Sequence, residues 1–115
     1  MNQAAAFQCT YSPGIPELLS SLGCSLVVST YQAGKLIFIS PHEDGLIQLP
    51  RNFDKPMGLA LDGRRLAVAT RHAVVVLAND PRLAALHPSR PGQYDALFVP
   101  RASYFVNEVD LHDMA

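Results

Sequence analysis

Tryptophan is absent from this chain and cysteine nearly so: 115 residues hold only Cys9 and Cys24. No Cys-x-x-Cys pair exists, so neither a zinc ribbon nor a dithiol redox site is written here. Two thiols are too few for the disulfide framework of a small secreted scaffold, and they read as reduced. A basic excess is missing too: nine Lys and Arg face ten Asp and Glu, a formal net charge of −1. Arginine gathers in the second half (Arg64, Arg65, Arg71, Arg82, Arg90, Arg101), but acids are interleaved with it. That argues against a nucleic-acid footprint, which clusters cations on one face. No apolar stretch approaches the roughly 20 residues of a membrane helix, and Met1 to Gln8 has neither the basic start nor the apolar run of a signal peptide. The expectation is a cytoplasmic protein with no nucleic-acid or membrane partner. Ser-x-x-Lys, Gly-x-Ser-x-Gly and phosphate-loop patterns are missing as well, so no cofactor is expected.

What the chain does have is a repeat. Pro16 aligns with Pro56, Leu19 with Leu59, Gly23 with Gly63, Leu26 with Leu66, Val28 with Val68 and Thr30 with Thr70. After a two-residue excess in the first copy (Ala33 and Gly34), Lys35–Ile39 lines up with Ala73–Leu77. A period of about 40 residues built from short strands is that of a β-propeller blade. The chain therefore reads as all-β: two antiparallel propeller-type blades plus the start of a third, an incomplete propeller.

The boundaries follow. Residues 1–14 form a loose lead-in ending in a Ser-Pro-Gly turn. The first blade spans 15–53, the second 54–106 with a Pro-punctuated excursion at 79–100, and the third begins at 107–115. Within the first blade, Ile15–Leu22 is ambiguous: the repeat puts a strand there, whereas local propensity favours helix. Leu26–Thr30 and Lys35–Ile39 make a hairpin, and Leu46–Leu49 is a short third strand closed by Pro50. In the second, Met57–Leu61, Arg65–Thr70 and Ala73–Ala78 are strands joined by Asp62-Gly63 and Arg71-His72. Leu83–Leu86 suits one helical turn, and Ala102–Val106 is an outer strand. These runs are nearly continuous in apolar residues rather than alternating, as in strands covered on both faces.

The segments Ser29–Leu36, Phe53–Ala60, Leu66–His72, Tyr94–Arg101 and Asp110–Asp113, as a set, resemble an uncharacterised bacterial family of conserved hypothetical proteins, a domain of unknown function. The resemblance implies a propeller-like fold and makes this chain similar to the N-terminal part of longer members. It implies no activity, cofactor or catalytic residue.

In such a blade the turn between second and third strands, and the link from an outer strand to the next unit, emerge on one face. Here they are Tyr31-Gln32, Asp54-Lys55, Arg71-His72 and Asn107-Glu108. Loops on a rigid scaffold concentrate binding groups. Tyr31, Gln32, Arg71, His72, Asn107 and His112 are accordingly the candidate ligand-binding residues. Asp110, His112 and His72 are weak candidates for a metal, since neighbours on a strand point to opposite faces and a site wants at least three ligands.

The expected function is a binding module that presents this polar site to a small polar molecule or a protein. A metal-assisted hydrolase or lactonase of propeller type is an alternative by fold analogy alone. A third is a structural fragment that packs against another chain. An isolated repeat cannot cover its own apolar faces, so the open blade face also points to self-association.

Overall fold

A computed structural model of the chain describes residues 10–43, 45–86 and 96–108. They form helix α1 (Ile15–Leu22), strands β1 (Leu26–Thr30), β2 (Lys35–His42) and β3 (Gly45–Asn52), then β4 (Leu59–Asp62), β5 (Arg65–Ala69), β6 (Ala73–Asn79), the short helix α2 (Pro81–Ala85) and β7 (Phe98–Phe105). The strands make two antiparallel meanders, β1-β2-β3 and β4-β5-β6-β7. The molecule is thus mostly β, two stacked sheets with little helix. No closed ring is present among the described residues.

The repeat survives as register. Leu26 pairs with Ile39 and Val28 with Ile37 in the first sheet. Their counterparts Leu66 and Leu77, and Val68 and Val75, pair in the second. Thr30 donates its hydroxyl across the turn to the Lys35 carbonyl (3.2 Å), and Thr70 does the same to Ala73 (2.8 Å). Each turn then holds the strand on its far side: Phe53 N–H donates to the Gly34 carbonyl at 3.0 Å, and Val106 N–H to that of His72 at 2.9 Å.

The two copies part company at their first element. The strand that the repeat predicts at Ile15–Leu22 is a helix, so the first sheet has three strands rather than a blade's four. Local chemistry decides it. Pro16 sits in the first turn, where its missing N–H costs nothing. The N–H groups of Gly23 and Cys24 close back on the carbonyls of Ser20 and Leu19 at 3.2 Å each, a Schellman stop that needs a left-handed residue. Gly23 supplies it with φ 63°, and its counterpart Gly63 turns the β4–β5 hairpin with φ 57°. One glycine conformation thus redirects the chain into the same strand in both copies, once from a helix and once from a strand.

Other expectations move by a few residues. β3 does not stop at Pro50 but runs through it to Asn52, because β3 is a sheet edge and a proline there breaks no ladder. The tight turn is Gly63-Arg64, with Asp62 paired to Arg65. The expected strand at Met57 begins at Leu59. Ahead of it Met57 N–H donates to the Ala69 carbonyl and Ala69 N–H to that of Gly58, both at 2.9 Å. The excursion is shorter than 79–100. Asp80 caps α2 by accepting from the N–H groups of Arg82 and Leu83, and Phe98 to Pro100 already belong to β7, with an irregular register between Val76 and Leu77. Its base is tied by Asp80 N–H to the Leu97 carbonyl (2.7 Å) and Leu97 N–H to Asn79 Oδ1 (2.9 Å). Except for Asn107 and Glu108, the expected third unit lies outside the described residues.

The core lies between the sheets. Leu36 of β2 meets Leu66 and Val68 of β5 and Leu77 of β6, with Val27, Phe38, Leu59, Val75 and Phe98 packed round them. Phe38 and Phe98 stack with ring centroids 5.8 Å apart. These faces are not equivalent under the repeat. Val27, Leu36 and Phe38 line the inner face of the first sheet, and their counterparts Ala67, Val74 and Val76 lie on the outer face of the second. The inner face of the second sheet (Leu66, Val68, Val75, Leu77) matches the outer face of the first (Leu26, Val28, Ile37, Ile39). The sheets therefore stack head to tail, not front to front.

Burying a leucine is worth about 2 kcal/mol, and Leu36 has no exposed surface. Leu36→Ala is expected to lower the unfolding free energy by about 3 kcal/mol through transfer and cavity terms together. Leu61→Ala, at a position 69% exposed on the rim, should cost under about 1 kcal/mol. Denaturant titration of both variants checks this, and equal losses would contradict the packing.

Candidate functional site

β3 ends beside the start of β2, since Asn52 pairs with Lys35. The link to the second sheet therefore leaves from the β1–β2 turn end. β7 ends beside the start of β6, with Phe105 opposite Ala73. Both turns and both links thus collect at one end of the stack.

The link at Asp54-Lys55 joins the two turns. From the first sheet, Tyr31 presents its ring to Lys55, whose Nζ stands 5.6 Å from the ring centroid. Such a pair is worth about 0.5–1 kcal/mol at an exposed site. From the second, Arg71 donates its backbone N–H to the Asp54 carbonyl at 2.9 Å, and its Nε to Glu108 at 3.0 Å. Tyr31 and Arg71, counterparts in the repeat, therefore flank one dipeptide. His72 is exposed, and its carbonyl holds Val106, one residue before the exposed Asn107. Gln32 is exposed in the first turn. His112 and Asp110 lie outside the described residues. Among the described residues no group of three or more His, Cys, Asp or Glu is placed to hold a metal.

Two side chains at this end were not among the candidates. Lys55 and Glu108 sit in the links that the repeat points to, but the partners they take were not legible in the sequence. Lys55 also has a left-handed backbone, φ 47°. A side chain there costs roughly 1–2 kcal/mol, and a following proline disfavours helical backbone further. The Arg71 bond to Asp54 and the ring of Tyr31 hold the link in that shape.

Apart from the polar end, a groove of about 760 Å³ runs between the sheets. Phe38 and Leu49 wall one side, Leu61, Leu77 and Phe98 the other, and Arg51 is the charged residue on its lining. The repeat gave no signal for it, because aligning the two copies says nothing of the space between the sheets.

With this geometry in place, comparison with known proteins adds one finding. The model of a domain of unknown function, DUF4915, matches residues 13–115. The chain belongs to the DUF4915 family. The DUF4915 match takes in both sheets and the polar end that joins them. No curated protein and no solved structure matches the chain.

The Arg71–Glu108 pair is partly exposed on both sides, 39% and 54%. A double-mutant cycle with Arg71→Ala and Glu108→Ala is therefore expected to give a coupling of about 0.5 kcal/mol at low salt. It should fade as salt approaches about 1 M, where screening acts within about 3 Å. A coupling several times larger, or one indifferent to salt, would show that the pair is more enclosed than described.

Proposed function

We propose that the chain is a propeller-type binding module whose two sheets are neighbouring blades and whose polar end takes a small polar molecule. The head-to-tail sense of stacking supports the blade reading. In a propeller each blade offers one face forward and the opposite face back, so counterparts never meet. A two-fold sandwich would bring them together.

One observation carries the binding reading: a turn from each sheet meets the Asp54-Lys55 link, and the second link joins them through Glu108 on Arg71. Convergence at one end of a rigid stack is how loops build a site. The groups gathered there are an ammonium over a phenol ring, a guanidinium oriented by a carboxylate, an imidazole and two amides, from Lys55, Tyr31, Arg71, His72, Gln32 and Asn107. These recognise hydrogen-bonding ligands by orientation. The left-handed Lys55 backbone fits the same reading, since strain of this kind gathers at ligand sites.

The test is a thermal-shift screen of small polar compounds, followed by titration of hits monitored by amide chemical shifts. Shifts are expected at Tyr31, Lys55, Arg71 and His72. Affinity should fall at least tenfold, about 1.4 kcal/mol, in Tyr31→Ala and Arg71→Ala. Arg65→Ala, in the hairpin at the opposite end, should bind as the parent does. Hits whose shifts map to Phe38, Leu49 and Phe98 in the groove, with Arg71→Ala unaffected, would overturn the assignment.

A further inference from the structure

An antiparallel sheet with one wet face alternates apolar and polar residues. The β4–β7 sheet does not. Its inner face is core. Its outer face carries Ala60, Ala67, Val74, Val76, Val99 and Tyr104; charge stands at the hairpin rim, where Asp62 and Arg65 pair with each other at 3.1 Å, and at the exposed Arg101 in the bulge beside Ala102. Val74 and Val76 are half-buried and Tyr104 is 62% exposed. No ladder requirement puts apolar side chains there, since either face of the pleat could carry polar residues.

The repeat says what suits this face. Ala67, Val74 and Val76 are the counterparts of Val27, Leu36 and Phe38, which are covered by Leu66, Val68, Val75 and Leu77. The counterparts of those four are Leu26, Val28, Ile37 and Ile39, on the outer face of the first sheet. Helix α1 lies along β2 there and buries Pro16 and Leu19. It leaves Leu26 44% and Val28 40% exposed, beside its own exposed Leu18 and Leu22. Ile37 of β2 is only 2% exposed there, so the open part of that face is β1. One chain thus carries exposed parts of both halves of its own internal interface on opposite sides.

We infer that a second copy of this chain docks its β1 face, Leu26 and Val28, onto the β6–β7 face at Val76 and Tyr104, continuing the internal stacking between molecules. The contact is heterologous, so assembly does not stop at a dimer unless the rotation closes a ring. The inference rests on the stacking sense used for the blade reading and not on the polar end, so a failed ligand screen leaves it standing.

Sedimentation velocity of the full chain over roughly a thousandfold range of concentration tests it, because association by mass action must grow with concentration. The parent is expected to pass from monomer to species larger than a dimer. Tyr104→Glu spoils one face and Val28→Glu the other, both at exposed positions. Each variant alone should stay monomeric, with circular dichroism unchanged. Their equimolar mixture should give a dimer and nothing larger, since each supplies the face that the other has lost. A parent that stays monomeric throughout overturns the inference. So does assembly abolished by Tyr104→Glu but indifferent to Val28→Glu, which would mean that like faces meet. Should either glutamate variant fail to fold, Tyr104→Ser and Val28→Ser serve the same mixing test.

Discussion

Leu36 and Val68 come from different sheets, have no exposed surface and belong to one cluster. The rest of the structure hangs on that contact. Apart, the meanders would leave Leu36 and Val68 in water, and burying a side chain of that size is worth about 2 kcal/mol. Once the two faces meet, the β1–β2 and β5–β6 turns are fixed at the same end, and the Asp54-Lys55 link has to pass between them. Within that link Lys55 takes a left-handed backbone, with Arg71 bonded to its neighbour Asp54 and the Tyr31 ring against its side chain.

The stacking also separates what is general in the fold from what is particular. The register of the hairpins, the threonine bonds across both turns and the left-handed glycines recur in both copies. They build the scaffold. The side chains at the polar end do not recur. Tyr31 stands where Arg71 does, and Gln32 where His72 does. A repeat that keeps its backbone and varies its turn residues is a scaffold with an asymmetric end, and the binding module proposed above would draw on that asymmetry.

Much of this was legible in the sequence, for a physical reason. Strand pairing follows the apolar pattern, so aligning Leu26–Val28 with Leu66–Val68 and Ile37–Ile39 with Val75–Leu77 yields both hairpin registers. The two-residue excess at Ala33-Gly34 yields the longer first turn. The alignment failed at Ile15–Leu22, because a proline and a glycine kept at matching positions can cap a helix as well as flank a strand. It failed at Pro50 because edge position, which makes a strand proline harmless, is a property of the sheet. Of the candidate site, Tyr31 and Arg71 come to one dipeptide as their equivalence implies. Their partners Lys55 and Glu108 depend on side-chain reach, which no spacing encodes. The blade closed at 53 and the residues beyond Glu108 stand as sequence expectations only.

Unlike faces of the two repeated sheets meet. A pair of double-mutant cycles addresses this directly. Phe38 stacks on Phe98, whereas Val76, the repeat counterpart of Phe38, lies on the far side of the second sheet. Head-to-tail stacking predicts a coupling of about 1 kcal/mol between Phe38→Ala and Phe98→Ala. It predicts additivity, within about 0.5 kcal/mol, between Phe38→Ala and Val76→Ala. Coupling to Val76 with none to Phe98 would mean that counterparts face each other, and the account of the fold would be wrong.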